Sequence, residues 1–155
     1  MDRALMDPAL TGGCQCGAVR YTLLAPHRTA DICHCRMCQR SSGAPFVAFA
    51  QFRAEDVRWD RGAPQLFRSS NLVDRGFCAE CGTTLTYQFR PHGTVSVTIA
   101  SLDDPNAISP QAQMGVESRL AWLDAALALP GKATDESFGG DLAEMVSNQY
   151  EPGRS

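Results

Sequence analysis

The chain lacks any apolar run approaching the roughly 20 residues needed to cross a bilayer. Its first residues, Met1-Asp2-Arg3-Ala4-Leu5-Met6-Asp7-Pro8, contain neither the basic region nor the apolar stretch of a secretory signal. A strong charge imbalance is missing too. Fourteen basic and 17 acidic residues leave a formal net charge of −3, too small to imply a nucleic acid or an anionic membrane as partner. There is no internal repeat outside the cysteine motifs, and no linker-like stretch divides the chain. These absences lead us to expect a cytoplasmic, single-domain protein with no nucleic-acid and no membrane partner. They do not set an oligomeric state.

What is present suits a globular domain. A length of 155 residues allows a real core, and 44% hydrophobic with 20% charged residues is an ordinary balance. Residues 1–11 read as a loose leader. Strands are expected at 18–24, 46–52, 57–59, 65–68, 83–89 and 94–100. Within the last of these, Val95, Val97 and Ile99 share one face. Arg90-Pro91-His92-Gly93 reads as the turn of a hairpin. A short helical turn is expected after Cys35. A helix is expected over 118–127, with Leu120, Leu123 and Leu127 along one side. Residues 131–155 turn polar and Gly-rich and read as a mobile tail, with at most a short helix at 141–149. Trp59 and Trp122 read as core residues. His27 and His92 fall in loops open to solvent.

Seven cysteines are the feature that calls for chemistry. An odd count without an export signal argues against a disulfide framework and for metal. They form three groups: Cys14-Gln15-Cys16, Cys33-His34-Cys35-Arg36-Met37-Cys38 and Cys78-Ala79-Glu80-Cys81. Tetrahedral zinc takes four ligands, with close pairs supplied by short loops. The first and last groups each end in glycine, Gly17 and Gly82, which suits the left-handed backbone of a tight turn aiming N–H groups at sulfur. The middle group has no such glycine. Cys14, Cys16, Cys78 and Cys81 are therefore paired in a closed zinc site that contributes directly to folding. Cys33, Cys35 and Cys38 remain for a second zinc with one open position, the arrangement of a catalytic site. Three thiolates on Zn²⁺ give a charge of about −1, a weak Lewis acid suited to a soft ligand such as a thiol. Arg36 and Arg40 lie beside this group and are candidates for holding a substrate carboxylate, or are plain surface charges.

Other divisions stay open on spacing alone. Cys35, Cys38, Cys78 and Cys81 could form one zinc ribbon, or the same ligands an iron–sulfur cluster. The second zinc could be structural, completed by His34 or a distant residue. Because neighbours in sequence rarely both reach one metal, His34 is read instead as a supporting or surface residue.

Taken in order, Gly13-Cys14-Gln15-Cys16-Gly17, Cys33 to Arg40 and Phe77-Cys78-Ala79-Glu80-Cys81-Gly82 resemble the glutathione-dependent formaldehyde-activating enzyme family, which is grouped with the centromere protein V domain. Gly43-Ala44-Pro45-Phe46, Ala100-Ser101-Leu102-Asp103-Asp104-Pro105 and Leu120-Ala121-Trp122-Leu123 continue the resemblance, which covers about residues 12–130. It implies a mainly β, β-tent zinc fold of antiparallel sheets with short helical segments. It also implies two Zn²⁺ per chain: a structural ion on Cys14, Cys16, Cys78 and Cys81, and a catalytic one on Cys33, Cys35 and Cys38. The implied reaction joins glutathione and formaldehyde into S-hydroxymethylglutathione, a carbon–sulfur lyase reaction in reverse. Gln113 stands where many members carry a histidine. The competing expectation is a non-catalytic zinc-stabilised binding or folding-helper module, as in related β-tent folds.

Overall fold

Short runs rich in β-branched and aromatic residues, closed by glycine, proline or aspartate, form ten strands among the described residues, 9–153, of the computed structural model. Positions 1–8 of the expected leader and the last two residues of the expected tail lie outside the described residues. The strands are β1 (Leu10–Gly13), β2 (Arg20–Leu23), β3 (Thr29–Cys33), β4 (Val47–Arg53), β5 (Val57–Arg61), β6 (Gln65–Arg68), β7 (Val73–Phe77), β8 (Thr84–Phe89), β9 (Thr94–Thr98) and β10 (Ala112–Met114). Three short helices are α1 (Arg36–Ser42), α2 (Leu123–Leu127) and α3 (Thr134–Phe138).

The strands make a three-stranded sheet, β1-β2-β5, and a seven-stranded sheet, β10-β3-β4-β9-β8-β7-β6. This is the mainly β architecture of antiparallel sheets and short helices expected from the sequence, with one difference. β10 pairs with β3 in parallel, Gln113 opposite Ile32. The difference follows from connection length, since parallel neighbours need a long crossover and nearly eighty residues separate these two strands.

The larger sheet is used on both faces. Along β4, Ala50 and Phe52 belong to the main core with Tyr21, Leu23, Leu85 and Val97. The alternate residues Val47 and Phe49 pack with Cys38, Cys33, Cys35 and Tyr87 on the other side. Successive strand side chains point to opposite faces, so one strand holds the core and carries the cysteine cluster at once. Val95, Val97 and Ile99 do enter the main core together. The β8–β9 hairpin closes where expected, with Phe89 opposite Thr94.

Several expectations change. β1, β3, β7 and β10 were not anticipated; Gly12, Gly13, Asp31, Asp74 and Gly76 dilute their strand pattern. Leu10 and Thr11, assigned to the leader, begin β1. The helix over 118–127 shrinks to α2, and Leu123 is buried while Leu127 is exposed. The run from Leu120 to Leu129 is apolar at nearly every position, so its spacing selects no face. Trp122 is 54% exposed, not a core residue, whereas Trp59 packs edge-on against Tyr21 at 5.7 Å. His27 is only half-exposed and stands 6.5 Å from the Phe52 ring. The polar C-terminal stretch forms α3 and a 3-10 turn over Gly139–Glu144, earlier than the helix expected at 141–149. It then returns to the first cysteine group: the Tyr150 N–H donates to the Gln15 carbonyl at 2.7 Å, and its ring lies 4.3 Å from the Arg20 guanidinium. No described helix is long and apolar enough to cross a membrane.

The loop after β9 ties the two sheets together. Ser101 Oγ meets Tyr21 OH at 2.7 Å, Leu102 bridges to Gly12, and Asp103 pairs with Arg20 while accepting from Thr11 Oγ1 at 2.5 Å. Burial raises the Asp103 carboxyl, but the Arg20 and Thr11 donors outweigh it and hold it below the usual aspartate range. A lowered folded value contributes stability above the unfolded pKa and loses it as pH falls through the folded one. Asp103→Asn is therefore expected to cost about 1–2 kcal/mol at neutral pH. In denaturant titrations at stepped pH, the gap between variant and parent should be full above about pH 5 and close below about pH 4.

Candidate metal centres

The first centre is built by two matching turns. The Gly17 N–H donates to the Cys14 carbonyl at 3.1 Å, and the Gly82 N–H to the Cys78 carbonyl at 2.9 Å. Both glycines are left-handed, at φ +79° and +77°, so a Cβ at either would strain the turn. Each loop is then closed by its first cysteine: the Cys14 N–H bonds the Val19 carbonyl, and the Cys78 N–H the Thr83 carbonyl, both at 2.9 Å. Donors converge on the sulfurs, as the glycine argument required. The Val19 N–H lies 3.2 Å from Cys14 Sγ, and Thr83 Oγ1 3.2 Å from Cys81 Sγ. The Gln15 N–H also donates to Thr83 Oγ1 at 3.0 Å, so Thr83 clamps one turn to the other. Sequence reading missed this residue.

The four sulfurs of Cys14, Cys16, Cys78 and Cys81 lie within 4.8 Å of one another. Ligands 2.3 Å from a tetrahedral zinc stand about 3.8 Å apart. Cys14 and Cys16 are separated by 3.6 Å and Cys16 and Cys78 by 3.8 Å, so the spacing fits such an ion. Electrostatics points the same way. Burial opposes ionisation of Cys81, yet the Thr83 hydroxyl and N–H bring it down to about 6. The Ala18 N–H favours the Cys16 thiolate, but burial and the neighbouring sulfurs push that thiol up to about 12. Four crowded sulfurs cannot all be anions unless a cation sits among them.

The second centre lies on the opposite face of the large sheet, with its sulfurs likewise within 4.8 Å. Cys33 ends β3, Cys35 caps α1 and Cys38 sits in its first turn. The Cys38 N–H points to Cys35 Sγ at 3.4 Å. Among the described residues, no fourth Cys, His, Asp or Glu joins the three. Cys78 and Cys81 sit with Cys14 and Cys16, so the structure does not make the ribbon of Cys35, Cys38, Cys78 and Cys81. His34 turns away from the cluster's sulfurs as a ligand candidate. It is buried, its Nε2 lies 2.8 Å from Gln113 Oε1, and its carbonyl accepts from Gln39 Nε2 at 2.8 Å. Gln113, in β10, thus reaches the side chain that stands between two of the cysteines, while the His34 N–H donates to the Met114 carbonyl at 2.9 Å. The next turn is equally close: a Cβ on Gly115, itself at φ +64°, would fall 2.8 Å from the Cys35 nitrogen.

Arg36 and Arg40 are exposed on α1 and line a hollow of about 280 Å³ with Gln39, Pro45, Leu120 and Trp122. The guanidinium at the sulfurs belongs instead to Arg75 of β7, 5% exposed, whose Nη1 and Nη2 each lie 3.5 Å from Cys38 Sγ. Burial pushes the Cys38 thiol up to about 12 against the pull of Arg75. For Cys35, burial is outweighed by the Cys38 N–H, the neighbouring thiols and Arg75, and the thiol is lowered.

The family of glutathione-dependent formaldehyde-activating enzymes matches residues 9–118, which include all seven cysteines. The chain belongs to this family. A protein of Halomonas elongata, provisionally named a glutathione-dependent formaldehyde-activating enzyme, is 25% identical over 91% of this chain and 94% of its own length. An uncharacterised lyase of Schizosaccharomyces pombe is 29% identical over 82 residues, 53% of this chain and 59% of that protein. A Rhodobacter sphaeroides protein of known crystal structure superposes with a TM-score of 0.53 at 28% identity, over 67% of this chain and 99% of that one. Family membership and the sulfur spacing agree that both clusters can hold metal ions.

The four-cysteine centre joins residues 62 positions apart, Cys16 and Cys78, so an ion held there would close a long loop. Cys78→Ser is expected to lose about one metal equivalent together with cooperative unfolding. Cys33→Ser should lose one equivalent and keep a cooperative melt. Elemental analysis alongside thermal denaturation checks both.

Proposed function

We propose that the domain, residues 12–130, holds two zinc ions and makes or breaks a carbon–sulfur bond between a thiol such as glutathione and a small carbonyl such as formaldehyde. Cys14, Cys16, Cys78 and Cys81 hold the structural ion. Cys33, Cys35 and Cys38 hold the catalytic one. The observation that carries this reading is the second cluster's complement of three sulfurs with no fourth protein donor among the described residues. A zinc bound there supplies positive charge that favours a thiolate and a coordination position that the protein leaves free.

The reaction forms a bond from sulfur to the carbonyl carbon and breaks the carbon–oxygen π bond. The thiol proton ends on the new hydroxyl oxygen. The chain's own residues prepare the place for it. α1 and β3 fix the three sulfurs, and the Gln113–His34 bond holds the segment between them. Phe49 and Tyr87 pack against the cluster on the sheet side and keep water from it. Arg36 and Arg40, whose shared hollow adjoins α1, are assigned the carboxylate of the thiol substrate.

Glutathione and formaldehyde also combine without a catalyst, so the test must measure exchange at equilibrium. Two-dimensional exchange spectroscopy with the parent protein should give faster interconversion of free and hydroxymethylated thiol than buffer does. Cys35→Ser should return the rate to the buffer value. If Cys35→Ser accelerates exchange as well as the parent, the chemistry is not at this centre and the chain is a binding module.

A further inference from the structure

Arg75 is a charged group in the wrong place for an ordinary surface arginine. It is 5% exposed, and among the described residues no carboxylate lies within ion-pair distance of it. Its contacts are Cys38 Sγ, at 3.5 Å from each terminal nitrogen, Ser41 Oγ at 3.4 Å and the face of the Tyr87 ring at 5.3 Å. Its Nε is buried without a hydrogen-bond partner. An uncompensated buried cation is costly, and a hydroxyl and a ring cannot neutralise it. The anion that answers it is the sulfur cluster. Three thiolates and a divalent ion sum to −1, and the guanidinium brings the sum to zero.

We propose that Arg75 is the counter-charge of the three-cysteine centre and makes it prefer an anionic fourth ligand, such as a thiolate, over a neutral one. The inference rests on the open-centre reading above and adds a determinant of ligand class to it. Without Arg75 an incoming thiolate would approach a centre that already carries net negative charge. With it, the approach is to a neutral one. The effect is strong because the cation is desolvated and lies within hydrogen-bond reach of a ligand sulfur. Arg75 acts through Cys38 and the local field, so it is a positioning residue. The backbone favours the placement. Gly76, next in β7, lies so close to β8 that a Cβ there would stand 2.2 Å from Thr86 Oγ1, and Arg75 pairs directly opposite Tyr87.

The test uses full-length protein loaded with cobalt, read by its visible spectrum. Cyanide is the anionic probe and imidazole the neutral one. In Arg75→Met, cyanide affinity should fall at least about tenfold while imidazole affinity changes less than about threefold. Arg75→Gln, which keeps amide donors toward Cys38 and Tyr87 but no charge, should behave like Arg75→Met and serves if that variant does not fold. Arg75→Lys should recover cyanide binding to within about threefold of the parent. Unchanged cyanide affinity in the neutral variants, or equal losses for both probes, overturns the role of Arg75 alone. A parent centre that takes neither probe overturns the open-centre reading, and this inference with it.

Discussion

Like charges crowded at van der Waals distance need a cation, and that constraint organises this molecule. Seven sulfurs are gathered into two clusters, each with its ligand atoms inside 4.8 Å. Backbone and hydroxyl donors soften part of the repulsion, as Thr83 does for Cys81. They cannot remove it, because the same sulfurs raise Cys16. A divalent ion bound there would resolve the conflict and turn repulsion into a bond joining the start of the chain to its middle. The two-sheet architecture is arranged around that joint. β1 and β2 flank the first cysteine turn, β7 and β8 flank the last, and Tyr150 closes over Gly17 and Gln15 from the far end.

The large sheet separates the two cysteine clusters. One face holds the shared core of Tyr21, Phe52, Leu85 and Val97, where large side chains fill the space between sheets. The other face carries Phe49, Tyr87 and Arg75 beneath α1, where the three-sulfur cluster lies. A strand that alternates between the two environments fixes the second centre rigidly relative to the first. Rigid support of this kind would keep an open coordination position on an ion bound there from collapsing onto a nearby side chain. His34, the nearest donor in sequence, is held away by Gln113 and by the Phe46 ring at 5.8 Å.

Much of this was legible in the residues. The glycines after Cys16 and Cys81 pointed to paired turns, and both adopt the left-handed backbone that such turns need. β4, β8 and β9 announced themselves by β-branched and aromatic alternation. Arg75 did not, for reasons that are physical. It lies in Val73-Asp74-Arg75-Gly76-Phe77, where two charges and a glycine mask a strand, and no local rule connects position 75 with position 38. Adjacency to the cysteines favoured Arg36 and Arg40 instead. In a helix, residues four apart share a face, and here 36 and 40 share the outer one while Cys38 and Gln39 are buried. β10 was hidden because three residues beside a distant strand carry no periodicity of their own.

The central claim is that the sulfurs divide four and three, with one ion enclosed and the other open. X-ray absorption at the metal edge, on protein purified without added metal and analysed for stoichiometry, tests this most directly. The account predicts two zinc ions per chain and an average first shell of about 3.5 sulfurs at about 2.3 Å, completed by a light atom. A single zinc per chain, or a shell of four sulfurs at every ion, would contradict it.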